Sequence, residues 1–148
     1  MSLISSAEWH VMRVVWANHT TTSRTIIDTL LPITSWKEGT IKSLINRLIQ
    51  KSLIHCDKTQ SPYQLSPLLT QEEATLQQLN ACLETTCCTK RGHYLAALLE
   101  QQPLSQSDCQ TLLAIITQQL ATAPEHVTCS CPKGQCNCHS ERNHTHGH

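Results

Sequence analysis

Between Ser5 and Leu65 the apolar residues recur at helical spacing three times and then switch to a short strand-turn-strand pattern, an order that few folds accept. In Ser5-Ser6-Ala7-Glu8 a hydroxyl precedes a carboxylate by three residues, which predicts a capping box at the start of a helix. Ile4 before that cap and Trp9 after it can staple the entry. Trp9, Met12, Val15 and Trp16 then form one stripe, giving a first helix from about Ser6 to Ala17, closed by Asn18-His19. His10 falls elsewhere on the wheel and reads as a solvated histidine. The hydroxyl cluster Thr20 to Ser23 caps a second helix carrying Ile26, Ile27, Leu30 and Leu31, which Pro32 stops because proline cannot continue a helical ladder. Ser35 and Glu38 suggest another capping box. Beyond them Ile41, Leu44, Ile45, Leu48 and Ile49 line the seam of a third helix.

The third helix turns Lys37, Thr40, Lys42, Ser43, Asn46 and Arg47 away from that seam, a cationic and hydrogen-bonding exterior. Taken alone, such a face is as readily an ordinary solvated surface as a binding one. Its context decides. Leu53 to Lys58 reads as a strand, Thr59 to Pro62 as a turn and Tyr63-Gln64-Leu65 as the returning strand. Three helices followed by a hairpin is the order of a winged helix-turn-helix, in which the third helix lies in the major groove of double-stranded DNA. The expected fold is therefore mainly α, with an N-terminal winged helix-turn-helix of three helices and a small β-hairpin wing over residues 1–69. A helical dimerisation region over 70–121 and a linker with a Cys- and His-rich metal-binding tail over 122–148 complete it.

The middle region supports three further helices. Thr70 and Glu73 can cap one running to about Glu84 with Leu76, Leu79 and Leu83; a break follows at Thr86 to Thr89. A second, from about Lys90 to Gln101, carries Tyr94, Leu95, Leu98 and Leu99. Ser105 or Ser107 caps a third, to about Ala121, with Leu112, Leu113, Ile116 and Leu120. Three short amphipathic helices bury their faces poorly in isolation, so pairing as a homodimer is expected; folding back onto the head is the alternative. Charge divides the same way: residues 1–69 hold seven Lys/Arg against four Asp/Glu, whereas residues 70–121 hold two against five. A mildly basic head suits a polyanion.

Cys129-Ser130-Cys131-Pro132-Lys133-Gly134-Gln135-Cys136-Asn137-Cys138 places two Cys-x-Cys pairs around a Pro-Lys-Gly turn. Thiols so confined can converge on one soft metal ion or a small cluster. Two disulfides in an exported module, or an inert tail, are the alternatives. The nine cysteines are an odd number, and MSLISSAEWH has no basic segment followed by an apolar one, so a reduced, cytoplasmic setting is expected. No apolar run approaches the ~18 residues needed to cross a bilayer, so no membrane association is expected. Four thiolates around Zn²⁺ make a closed tetrahedral site, whereas the same sulfurs can bridge two Cu(I) ions. Metal must displace thiol protons, so affinity falls in acid. Cys56, Cys82, Cys87, Cys88 and Cys109 read as small buried or half-buried residues, with the adjacent pair Cys87-Cys88 in a predicted break the exception worth testing. The tail histidines His139, His144, His146 and His148 could assist or scavenge a borderline metal. Enzymatic chemistry is not expected: there is no paired-carboxylate, nucleophile-base or phosphate-cradling pattern, and only four glycines are present.

Ala7-Glu8-Trp9-x-Val11-Met12-x-Val14-Val15-Trp16, Trp36-Lys37-x-x-Thr40-Ile41-Lys42-x-Leu44-x-x-Arg47-Leu48, Tyr63-x-Leu65-Ser66-Pro67, Lys90-Arg91-Gly92 and the Cys-x-Cys-x4-Cys-x-Cys end together carry a resemblance. The chain resembles the CopY group of copper-responsive repressors, within the BlaI/MecI winged-helix family, whose β-lactam branch shares the head but lacks the thiol end. Its wing turn, Thr59-Gln60-Ser61-Pro62, departs from the glycine-bearing pattern. The resemblance implies a dimer that holds an inverted-repeat operator of the TACA/TGTA kind upstream of copper export genes in its zinc-loaded or metal-poor form. It implies release when Cu(I) displaces zinc from Cys129, Cys131, Cys136 and Cys138; a copper chaperone could serve as the Cu(I) donor. A zinc- or cadmium-sensing repressor of the same fold, or a metallothionein-like copper buffer, are the rival functions.

Overall fold

The computed structural model describes residues 3–138. Its elements follow in chain order: α1 (Ser6–Asn18), α2 (Ser23–Leu30), α3 (Glu38–Gln50), β1 (Ile54–Asp57), β2 (Gln64–Pro67), α4 (Gln71–Glu84), α5 (Arg91–Gln101) and α6 (Gln106–Leu120), with a single 3₁₀ turn at Cys88–Lys90. The mainly helical fold with one small hairpin is as the sequence predicts. None of the helices among the described residues is long and apolar enough to cross a membrane. The chain divides into two compact units at Asn80/Ala81, inside α4.

In the first unit, α1 starts on the expected capping box: Ser5 Oγ accepts the Glu8 N–H at 3.2 Å and Glu8 Oε2 accepts the Ser5 N–H at 3.4 Å. Thr22 caps α2 by accepting the Thr25 N–H at 3.2 Å. The third cap differs from expectation. Lys37, not Ser35, occupies the N-cap of α3 and makes no side-chain cap bond, because its ammonium has no acceptor to offer a backbone N–H, while Glu38, the first helical residue, is engaged by Arg24. Val11, Met12 and Val15 of α1, Ile26, Ile27 and Leu30 of α2, and Ile41, Leu44, Ile45 and Leu48 of α3 meet in one core, closed by Leu53, Ile54 and Leu65 from the hairpin. Each such side chain contributes about 1.5–3 kcal/mol by leaving water. The hairpin pairs antiparallel, Ile54 with Pro67 through Asp57 with Gln64, so the return strand runs two residues further than Tyr63-Gln64-Leu65 suggests. An extra bridge joins Thr21 to Leu65 and fixes the hairpin to the start of α2. Trp16 donates its indole N–H to Leu69 O at 3.0 Å, tying α1 to the segment that enters α4.

In the second unit the helices are short, and neither α5 nor α6 buries a single residue. Ser105 caps α6 in a box with Asp108. Leu95, Leu98, Leu113, Ile116 and Leu120 are all exposed, the last at 75%. The turn after α4 is fixed by Arg91, which donates from Nε to Leu83 O at 2.9 Å and from Nη2 to Thr86 O at 3.2 Å.

Candidate metal centre and nucleic-acid interface

The thiol end folds as a turn. Gln135 N–H donates to Pro132 O at 3.1 Å, and Gly134, at φ +89°, takes the position that a type II turn reserves for glycine. This reversal lets the two Cys-x-Cys arms face each other: Cys129 Sγ lies 3.4 Å from Cys136 Sγ. The Cys131 N–H points at Cys129 Sγ at 3.5 Å, a backbone donor of the kind that steadies thiolate ligands.

A fifth cysteine is drawn in. Cys87 Sγ, from the turn between α4 and α5, lies 3.5 Å from Cys129 Sγ and 3.2 Å from Cys138 Sγ. The sulfurs of Cys87, Cys129, Cys131 and Cys136 all lie within 4.8 Å of one another. In a tetrahedral zinc-thiolate site with Zn–S of about 2.3 Å the sulfurs stand about 3.8 Å apart, so four thiols of this spacing fit a four-coordinate soft cation with small adjustment. Cys138 is held at the margin, with its Sγ 3.3 Å from Thr89 Oγ1. The sequence pattern supplies Cys129, Cys131, Cys136 and Cys138 but leaves Cys87 as a small buried residue; the only signal for it is the doubled Cys87-Cys88 in a break. Cys82 and Cys109, expected at least half-buried, are exposed. His139, His144, His146 and His148 lie outside the described residues.

The thiols do not share their protons evenly. A hydrogen bond from the Thr89 hydroxyl, another from Cys138 and the Thr89 backbone N–H bring Cys87 down to about 5. Its neighbours answer in the opposite sense. The hydrogen bond from Cys131 to Cys87, with burial behind it, pushes Cys131 up to about 12. At Cys129 the Cys131 backbone N–H favours the thiolate, but the bonds with Cys136 and Cys87, together with burial, outweigh it and leave the thiol raised. The cluster thus carries one favoured thiolate around which other sulfurs keep protons for a metal to displace.

On α3 and its N-cap all six residues singled out from the sequence, Lys37, Thr40, Lys42, Ser43, Asn46 and Arg47, are exposed. Two of these cations are already paired. Lys42 Nζ meets Glu38 Oε1 at 3.0 Å, and Arg47 Nη1 meets Glu8 Oε1 at 3.4 Å. Arg24 of α2, which the sequence pattern does not single out, donates to both oxygens of Glu38 at 2.8 and 3.3 Å. The Arg24 and Lys42 bonds hold the Glu38 carboxyl at about 2. One carboxylate therefore orients two cations on neighbouring helices, and both stay more than half exposed. A groove of about 360 Å³ between α3 and the wing is edged by Asn46, Gln50, Lys58 and Tyr63.

The profile of the penicillinase repressor family matches residues 4–118, both the core of the first unit and helices α4 to α6. The chain belongs to the penicillinase repressor (BlaI/MecI) family. This is a family of transcriptional repressors and not of enzymes, so the expected absence of catalysis stands on kinship. The chain is 38% identical over 138 residues to an uncharacterised 16.5 kDa protein of Latilactobacillus sakei, covering 93% of this chain and 94% of that one. It is 25% identical over 116 residues to the methicillin resistance regulatory protein MecI of Mammaliicoccus sciuri, covering 78% of this chain and 94% of the relative. The solution structure of the DNA-binding domain of the repressor BlaI is similar at 26% identity, with a TM-score of 0.44 over 49% of this chain and 93% of that one. Cys129 to Cys138 lie beyond the residues that the family profile matches and Cys87 lies within them; together they form a thiol cluster compatible with metal sensing.

Proposed function

We propose that this family member is a copper-responsive repressor: a dimer that grips an inverted-repeat duplex and lets go when its terminal thiols take Cu(I). The observation that carries this reading is the thiol cluster appended to a repressor fold, since a closed all-sulfur set suits soft-ion capture and leaves no open position for catalysis. Lys37, Thr40, Lys42, Ser43, Asn46 and Arg47 read the operator from α3. Lys42 and Arg47 reach phosphate or guanine, and Thr40, Ser43 and Asn46 hydrogen-bond base edges. Their common exposure and the orienting pairs with Glu38 and Glu8 support this role. The uncovered leucines of α5 and α6 support pairing with a second copy. Duplex DNA as the target implies a cytoplasmic protein, and the half-buried Cys129, Cys131 and Cys136 are open to Cu(I) handed over by a copper chaperone.

Cys129, Cys131, Cys136 and Cys138 supply the tail sulfurs from which the signal ion draws its ligands. Zinc-loaded or metal-poor protein is the DNA-binding form, and capture of Cu(I) by the thiolates releases the operator of copper export genes. Binding coupling is reciprocal, so the free protein must hold Cu(I) more tightly than the DNA-bound protein does. Moving operator occupancy from nearly full to nearly empty requires about 5.5 kcal/mol of that difference. The four-sulfur spacing also suits Zn²⁺ or Cd²⁺ as the inducing ion, which makes a zinc or cadmium sensor the second reading.

Gel-shift of a TACA/TGTA inverted-repeat duplex, with zinc-loaded protein and then with added Cu(I) or Cd²⁺, separates them. Release by Cu(I) alone is expected; release by Cd²⁺ alone favours the second reading, and no sequence-preferring binding in any form favours a copper buffer. In the same assay Lys42→Ala should flatten the salt dependence by about one unit for each phosphate that Lys42 neutralises. An unchanged slope removes Lys42 from the DNA face.

A further inference from the structure

The tail sulfurs do not gather by themselves; they gather on the turn after α4. Three contacts that involve none of the sulfurs of Cys129, Cys131, Cys136 and Cys138 seat residues 128–138 there. Cys88 Sγ donates to Thr128 O at 3.2 Å, Cys88 Sγ and Ser130 Oγ approach to 4.0 Å, and Lys90 Nζ donates to Asn137 Oδ1 at 3.2 Å. The turn is itself fixed, since Arg91 holds the Leu83 carbonyl at the end of α4 and the Thr86 carbonyl within the turn. Cys87 is consequently presented to the tail at a set position, 9% exposed, with Cys129 and Cys138 sulfurs within 3.5 Å.

We propose that Cys87 is itself a metal ligand, completing with Cys129, Cys131 and Cys136 a four-thiolate site for a soft, thiophilic cation, with Cys138 as the exchangeable fifth sulfur. These four are the mutually close sulfurs among the described residues, whereas Cys138 pairs instead with Cys87 and the Thr89 hydroxyl. The inference rests on the metal-sensing reading above and deepens it. A tail-only site would join the ion to the turn only through the three polar contacts above. A site that includes Cys87 makes the ion a clasp between residues 129–136 and the turn that joins α4 to α5, so occupancy is felt at that turn directly. Metal loading then orders the second unit through a ligand that lies 42 residues from Cys129 in sequence, closing a long loop.

The test uses the full chain loaded anaerobically with one equivalent of Co²⁺, whose sulfur-to-metal charge-transfer band grows with each thiolate bound. Cys138→Ser tests whether that sulfur is the fourth ligand instead: the four-thiolate band should stay at full height, and a band already lowered by about one quarter overturns the proposal. Adding Cys87→Ser to that variant should lower the band by about one quarter, four sulfurs becoming three. An unchanged band on adding Cys87→Ser overturns the proposal. Cys109→Ser, outside the cluster, is the control and should change nothing. Folding of the variants is bypassed by a second readout on the unmodified chain: Zn²⁺ should slow alkylation of Cys87 at least tenfold while leaving Cys82 and Cys109 unaffected. Alkylation of Cys87 at its metal-free rate also overturns it. Neither readout contains DNA, so the ligand assignment and the repressor reading fail separately.

Discussion

Glu8 shows how one residue serves two ends at once. It is 1% exposed, caps α1 and accepts Lys51 Nζ at 2.8 and 2.9 Å as well as Arg47, so a buried charge is held by partners from α1's own start and from the end of α3. Burial pushes its carboxyl upward, but the bonds from Lys51, the Ser5 N–H and Arg47 together outweigh it and leave it below 4.5. A carboxylate so depressed contributes stability that is fully present above about pH 4.5 and is lost as pH falls through its lower folded value. Glu8→Gln should therefore destabilise the protein by about 1–3 kcal/mol near pH 7. The gap from wild type should close on acidification below about pH 4. Urea unfolding at several pH values checks this, and parallel curves would refute it. The capping role of Glu8 was legible from its spacing to Ser5. Its ion pairs were not, because Lys51 lies 43 residues away and only the α1–α3 packing brings it near. The same holds for Glu38: three-residue spacing to Ser35 suggested a cap, and the tertiary neighbour Arg24 takes the carboxylate instead.

Elements were more readable than pairs. The stripes Trp9-Met12-Val15-Trp16 and Ile41-Leu44-Ile45-Leu48 fixed α1 and α3 because a helix must turn one face to the core, and the structure buries all of these except half-buried Trp9. Polar caps and Pro32 set the boundaries within a residue or two. What periodicity could not show is what an apolar face meets. Leu95, Leu98, Leu113 and Ile116 have the spacing of core residues and yet remain exposed. On the dimer reading these faces are covered by the second copy. Leu113→Asp with Ile116→Asp should leave the helical content intact and turn a dimer into a monomer by sedimentation, with at least tenfold weaker duplex binding because two half-sites are no longer held together. A monomeric wild-type chain, or a double variant that remains dimeric, would refute that use of α5 and α6. Cys87 was hidden for a related reason. Spacing identifies ligands only within one local segment, and this thiol joins its neighbours across 42 residues through the turn that Arg91 fixes.

At the scale of the molecule, the chain joins a repressor fold matched over residues 4–118 to a sulfur cluster that draws Cys87 from within that segment and Cys129, Cys131 and Cys136 from beyond it. The family and the helix order were both readable in advance, since the head motifs and the Cys-x-Cys-x4-Cys-x-Cys end are local patterns. The identity of the effector ion is a matter of sulfur number and spacing in three dimensions, and there a cluster of five thiols offers Cu(I) bridging possibilities that four do not. The central claim is that soft-ion capture at these thiols weakens the hold of the α3 face on DNA. Its most direct test is the anisotropy of a labelled inverted-repeat duplex bound to zinc-loaded protein during a Cu(I) titration, repeated with Cys129, Cys131, Cys136 and Cys138 all changed to Ser. Copper should free the duplex from the wild-type protein and leave it on the thiol-stripped one; equal release from both would contradict the account.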